Sequence, residues 1–146
     1  MAGIWQVSYK QFDQQLHDEN DPPARKAVSD FITRAWGLGA EEGGKYDVDL
    51  FVVDSTKMYK GAVEIERRHN WVDKFPFKTV HVPHRKAKFF GFFPTILFVL
   101  RSDMKQGMWA HGSVIVESPV VRVDNKYVND EPFFDVPLSK WTRVNL

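Results

Sequence analysis

Two short stretches, Asp47–Val53 (DVDLFVV) and Ala62–Arg68 (AVEIERR), decide how the middle of this chain is organised. In each stretch apolar and charged residues alternate with a period of two, and β-branched or aromatic residues are frequent, as is typical of β-strands. The residues between them, 54–61, are mostly polar and end in a glycine, which is typical of the turn of a hairpin. We therefore predict that these two strands form a β-hairpin.

The predicted hairpin carries acidic residues at alternate positions of both strands. Side chains two residues apart in a strand lie on one face of the sheet, so Asp47 lies with Asp49, and Glu64 lies with Glu66. If the two faces coincide, three or four carboxylates converge, and a divalent cation such as Mg²⁺ or Mn²⁺ would relieve their repulsion. The alternative is a solvated face, which is common for charged residues on antiparallel sheets.

The following segment, residues 67–88, is strongly basic. It contains seven Lys or Arg residues and one acidic residue, whereas the whole chain has a net charge of only +1. Histidine and aromatic residues are interspersed, which is typical of a surface that binds a phosphate backbone and stacks on bases; the alternative is a solvated loop. The predicted nucleic-acid contacts are Arg67, Arg68, Trp71, Lys74, Lys78, His81, His84, Arg85, Lys86 and Lys88.

Length and composition restrict the class of protein. A chain of 146 residues with 43% hydrophobic residues has the size and composition of one globular domain, so we expect a single domain over residues 1–146. The absence of cysteine excludes thiol nucleophiles and zinc–thiolate sites. The N-terminus does not resemble a signal peptide, and the longest apolar run, residues 89–100, is too short to span a bilayer. We expect a soluble, intracellular, cytoplasmic protein without a membrane partner.

The pattern of the remaining sequence predicts an α/β domain. Helices are predicted over Ser8–His17 and from Asp21, which would cap a helix whose first residue is Pro22, up to Gly37. Strands are predicted at residues 79–82, 95–100, 113–117 and 120–123, whereas residues 104–111 suggest a short helix and residues 129–146 an irregular tail. The continuous apolar run at 95–100 is typical of a strand buried on both faces, which indicates a mixed central sheet flanked by helices.

The hairpin resembles the PD-(D/E)xK, or restriction-endonuclease-like, nuclease superfamily. The resemblance rests on Asp49 at the head of an apolar strand, followed after fourteen residues by Glu64-Ile65-Glu66 on the next strand. Glu66 stands where most members of the superfamily carry Lys, although some restriction enzymes in it have Glu-x-Glu. Lysine also migrates to neighbouring elements in this group, and Lys78, Lys86 or Lys88 would supply it here.

This resemblance implies a restriction-endonuclease-like fold and Mg²⁺- or Mn²⁺-dependent hydrolysis of DNA phosphodiester bonds. The implied metal ligands are Asp49, Glu64 and Glu66, and the implied catalytic residues are the same three together with Lys78 and Lys86. Cutting of both DNA strands by so small a chain implies a homodimer. Two alternatives stay open: a non-catalytic DNA-binding or assembly protein on a degenerate nuclease scaffold, and a structural protein with solvated hairpin acids.

Overall fold

A computed structural model describes residues 21–44, 48–91, 94–124 and 130–146. It shows a single-domain α/β fold with a mixed sheet. The strands are β1 (Gly39–Glu42), β2 (Leu50–Val53), β3 (Tyr59–Arg68), β4 (Thr79–Pro83), β5 (Thr95–Arg101), β6 (Gln106–His111), β7 (Val120–Val123), β8 (Glu131–Pro137) and β9 (Thr142–Asn145). The helices are α1 (Pro22–Phe31), a π-helical turn (Ile32–Trp36), a 3₁₀ helix (His84–Phe89), α2 (Gly112–Val116) and a second 3₁₀ helix (Leu138–Lys140).

The first described helix begins and ends where the sequence predicts. The side chain of Asp21 accepts a hydrogen bond from the backbone N–H of Ala24 at 3.3 Å, and Pro22 occupies the first helical position. Gly37 ends the π-helical turn with φ of 67°, a left-handed conformation that glycine adopts without steric cost. The predicted helix over Ser8–His17 lies outside the described residues.

Two sheets form the body of the protein. The larger sheet has six strands in the order β1-β2-β3-β5-β6-β9, in which β3 and β5 are parallel and the other neighbours are antiparallel. The smaller sheet has the order β4-β8-β7 and is antiparallel. The predicted mixed sheet is therefore confirmed, and on one of its faces the smaller sheet shares the covering layer with short helices.

The predicted hairpin is confirmed and lies in the centre of the larger sheet. Strands β2 and β3 pair in antiparallel register, with Leu50 opposite Val63. Gly61 lets β3 approach the chain just before β5, because a Cβ atom at this position would lie 2.9 Å from the carbonyl oxygen of Pro94. The next residue, Ala62, donates a backbone hydrogen bond to that same oxygen at 2.8 Å. This contact holds the hairpin against the parallel strand.

A separate hydrophobic core covers each face of the larger sheet. On one face, α1 packs through residues such as Val28 on Leu50, Val63 and Ile65. On the other face, the smaller sheet, α2 and the first 3₁₀ helix pack on a cluster that includes Leu97 and Val99. Because side chains alternate along a strand, the residues of β3 that do not face α1 point toward this second layer.

Three predictions about the second half of the chain are wrong. Residues 113–117, predicted as a strand, belong to α2, and residues 104–111, suggested as a helix, contain β6. The tail is not irregular, since it forms β8, a 3₁₀ helix and β9. Short apolar runs do not distinguish a buried helix from a strand, and here pairing with distant strands decides the outcome.

Among the described helices, none has the length and hydropathy of a membrane span.

Candidate functional site

Two carboxylates meet at the head of the hairpin, on the face opposite α1. Asp49 and Glu64 are 7% and 1% exposed, respectively. The backbone N–H of Asp49 donates to Glu64 Oε2 at 3.0 Å, and the backbone N–H of Ile65 donates to Asp49 Oδ2 at 2.8 Å. These reciprocal bonds lock the side chain of each acid to the backbone of the other strand. The interpretation of a solvated acidic face is therefore wrong for this pair.

A buried lysine completes the cluster. Lys86 lies in the 3₁₀ helix that follows β4, and its side chain is 6% exposed. Its Nζ atom donates to Glu64 Oε1 at 3.3 Å. Of the three lysines considered from sequence, this is the one that the fold carries to the acids. We call Asp49, Glu64 and Lys86 the hairpin cluster.

The environment of Asp49 opposes ionisation of its carboxyl group. Burial is the largest cause and the nearby Glu64 carboxylate is the second, and together they raise the pKa of Asp49 to about 8. The hydrogen bond from Ile65 and the positive charges of Lys86 and Arg25 partly offset this increase in the pKa. In the protein alone, this raised pKa favours the protonated form of Asp49, which relieves the repulsion between the two acids.

This raised pKa predicts how stability depends on pH in the metal-free protein. An unfolded chain loses the Asp49 proton near pH 4 and the folded chain keeps it until about pH 8, so the free energy of unfolding falls between these values as pH rises. Asp49→Asn removes this loss of stability, because asparagine does not ionise, and it keeps an acceptor for the backbone N–H of Ile65. At pH 9 in EDTA, the free energy of unfolding measured in urea should be about 2–5 kcal/mol higher for the variant than for the wild type. At pH 4 the difference should be small.

Asp54→Asn is the matched control on the same hairpin. The Thr56 hydroxyl, followed by the Met58 N–H, lowers the pKa of Asp54 to about 2, so this carboxylate favours the folded state above pH 4. Its replacement should lower stability at neutral pH, in the opposite direction to Asp49→Asn. A stability profile of Asp49→Asn parallel to that of the wild type between pH 4 and 9 would contradict the assignment.

Glu66 stands beside the hairpin cluster and has a different partner. It shares the face of Glu64 on β3, and its Oε1 atom lies 2.7 Å from Arg68 Nε. Its Oε2 atom is buried and accepts no hydrogen bond from the described part of the chain. Within residues 21–44, 48–91, 94–124 and 130–146, no three acidic or histidine side chains converge as a metal-binding group. Asp47, the fourth predicted acid, lies outside the described residues.

Asp49, Glu64 and Glu66 nevertheless bring oxygen donors of the kind that a divalent cation binds to neighbouring positions of the hairpin. Asp49 and Glu64 offer two adjacent carboxylates, and the unsatisfied Oε2 atom of Glu66 offers a buried acceptor two residues farther along the strand. Mg²⁺ characteristically binds one or two carboxylates and completes its shell with waters and substrate phosphates. A cation here would also replace the proton that Asp49 otherwise needs.

Much of the predicted basic surface is neutralised within the protein. Four of its seven cations pair with acids, at 2.7–3.3 Å: Arg67 with Asp21, Arg68 with Glu66, Arg85 with Glu131 and Lys86 with Glu64. Lys74 and Lys78 are exposed on the loop between β3 and β4. Lys88 is also exposed and lies over the ring of Phe89 at 5.0 Å. These last three cations are the ones best placed to meet phosphates in solvent.

The aromatic and histidine candidates divide between core and surface. Trp71 is 2% exposed and packs edge-on against Phe75. This placement does not favour the predicted stacking of Trp71 on bases. His84 is exposed and stacks on Phe134, while His81 lies 3.2 Å from Asp135. Phe77, by contrast, is 55% exposed. Phe77, six residues after Trp71, therefore provides the exposed aromatic surface that was predicted at Trp71.

Arg25 is the residue that the sequence interpretation missed. It lies on α1, 3.5 Å from Glu42, and its positive charge acts on Asp49. No sequence signal distinguishes this arginine from an ordinary polar position of an amphipathic helix, because its proximity to the acids arises only when α1 packs on the sheet.

No protein-family model matches this sequence, and a search of curated proteins finds no match either.

Proposed function

We propose that this protein is a metal-dependent nuclease that hydrolyses DNA phosphodiester bonds, with a restriction-endonuclease-like core and its active site at the hairpin cluster. The observation that carries the proposal is the burial of Asp49, Glu64 and Lys86, with Glu64 in contact with each of the other two. Burying two acids and a lysine together carries a desolvation cost, and ionisable groups perturbed in this way are concentrated at functional sites. The order of the surrounding elements, helix, hairpin and then parallel strand, supports the same superfamily by analogy.

Each residue of the cluster has a role that follows from its charge and contacts. Asp49 and Glu64 would hold Mg²⁺ or Mn²⁺, which polarises the scissile phosphate and lowers the pKa of a bound water. Glu66 can accept a proton or hydrogen bond through Oε2. Lys86 places a positive charge beside Glu64, where it stabilises the negative charge that develops on the phosphorus oxygens during attack. Water would add to phosphorus and give a proton to Glu66, while the bond from phosphorus to the sugar oxygen would break and that oxygen would take a proton from solvent.

Exposed cations outside the hairpin cluster support a polyanionic substrate. Lys74, Lys78 and Lys88 would contact the phosphate backbone, and such contacts position a nucleic acid without reading its sequence. Because few cations are available, binding should be weaker and less dependent on salt than the sequence composition alone suggests. The proposed partner is DNA, and the proposed assembly is a homodimer.

The direct test is a cleavage assay with the wild-type protein. Supercoiled plasmid, single-stranded oligonucleotides and branched DNA are incubated with Mg²⁺, Mn²⁺ or EDTA, and products are resolved on gels. Cleavage of at least one of these DNAs with Mg²⁺ or Mn²⁺, and none in EDTA, is expected. A pure protein that binds DNA and both cations but cuts no substrate would instead be the non-catalytic scaffold protein.

A further inference from the structure

A small cleft lies at the far end of the strand that carries Glu64. Its volume is about 250 Å³, and it opens between the end of β3, the loop that follows and the start of β4. This volume is below the range of drug-sized ligand pockets, so it suits a smaller planar group. The lining residues are Arg68, Asn70, Phe75, Phe77, Thr79 and His81.

The lining combines an aromatic wall with fixed polar groups. Phe77 is 55% exposed, and it meets the buried ring of Phe75 edge-on at 5.9 Å. Arg68 is held by Glu66 at 2.7 Å and by the carbonyl oxygen of His81, to which it donates at 2.6 Å. An exposed ring offers a stacking face, and an arginine in a fixed orientation offers hydrogen-bond donors, which are the two elements of base recognition.

The cleft lies about four residues along β3 from Glu64 of the hairpin cluster. Glu64, Glu66 and Arg68 occupy alternate positions of β3, so their side chains share one face. Four residues of strand span about 13 Å, which corresponds to roughly four stacked nucleotides. Lys74 and Lys78 are exposed on the loop that carries Phe77 and are available for the phosphates on either side.

We propose that this cleft is a subsite for one unpaired nucleobase, which stacks on Phe77 and hydrogen-bonds with the polar lining. The proposal rests on the proposed nuclease function and deepens it, since it assigns the substrate class: DNA with a single-stranded segment about four nucleotides from the scissile phosphate. A base inside an intact duplex presents no open face to such a cleft, so fully paired DNA would not fill it.

The test compares DNAs that differ in the bases of a single-stranded tail or in the presence of that tail. Three hairpin DNAs are used: one with a six-nucleotide single-stranded tail, one with the same tail built from abasic residues, and one that is blunt. Binding is measured by fluorescence anisotropy in EDTA, where no cleavage occurs. The base-bearing tail should bind roughly five- to a hundredfold more tightly than the abasic tail, since stacking is lost while every phosphate remains.

Two variants locate the effect. Phe77→Ala should reduce the preference for bases to about twofold or less and leave binding of the abasic tail unchanged. Val72→Ala is the matched control, because Val72 is 69% exposed on the same loop and does not line the cleft; this variant should keep the full preference.

Equal affinity of the wild type for the base-bearing and abasic tails, or no binding of either, would overturn the subsite. So would a preference that survives Phe77→Ala. Cleavage of DNA without a preference for bases would contradict the subsite and leave the proposed nuclease function standing. A preference for bases without cleavage would contradict the nuclease function and leave the subsite standing.

Discussion

Asp49→Asn is expected to lower Mg²⁺-dependent DNA cleavage by at least about a thousandfold while it leaves the fold intact. Asparagine is nearly isosteric and still accepts the hydrogen bond from Ile65, but it cannot supply the negative charge that attracts a divalent cation. Loss of metal-derived stabilisation of several kcal/mol corresponds to this reduction in rate. Single-turnover cleavage at saturating Mg²⁺ measures the effect.

Thermal unfolding gives this prediction a second readout. Mg²⁺ should raise the melting temperature of the wild type, because the cation binds the folded state, and it should have little effect on Asp49→Asn. Asp54→Asn, on the exposed turn of the same hairpin, should keep both cleavage and the response to Mg²⁺. Cleavage above a tenth of the wild-type rate in Asp49→Asn would remove Asp49 from the active site.

The sequence was sufficient for the centre of the fold because local signals are strong there. The alternation in β2 and β3, the cap at Asp21 and the apolar run of β5 each predict an element that the structure contains. The edges of the sheets were not predictable in this way. Strand β1 lies in a glycine-containing polar segment, and β8 and β9 are strands because they pair with β4, β7 and β6.

The candidate site was predictable in part for the same reason. Period-two spacing places Asp49 opposite Glu64, since both lie one step from the paired residues Leu50 and Val63. The choice among Lys78, Lys86 and Lys88 depends on how the 3₁₀ helix packs, which no local pattern encodes. Net charge was the least reliable guide, because four of the seven cations of the basic segment are paired with acids, three of them with acids that are remote in sequence.

Lys86→Met should have two separable effects, one on stability and one on rate. The change preserves the length of the side chain and leaves the Glu64 carboxylate buried without its positive partner, so it should cost about 3–5 kcal/mol in EDTA. Bound Mg²⁺ supplies positive charge at the same place and should restore much of this loss. If Lys86 only neutralised Glu64, cleavage would recover together with stability.

We expect that cleavage will not recover. A cation that stabilises charge in the transition state contributes to rate far more than to DNA affinity, so kcat should remain lower by about a hundred- to a thousandfold at saturating Mg²⁺, with Kd for DNA nearly unchanged. Lys140→Met, on the second 3₁₀ helix and exposed, is the control and should keep wild-type stability and kcat. Recovery of wild-type kcat in Lys86→Met with Mg²⁺ would reduce Lys86 to a structural partner of Glu64, and the chemistry would then have to rest on the carboxylates and the metal ion.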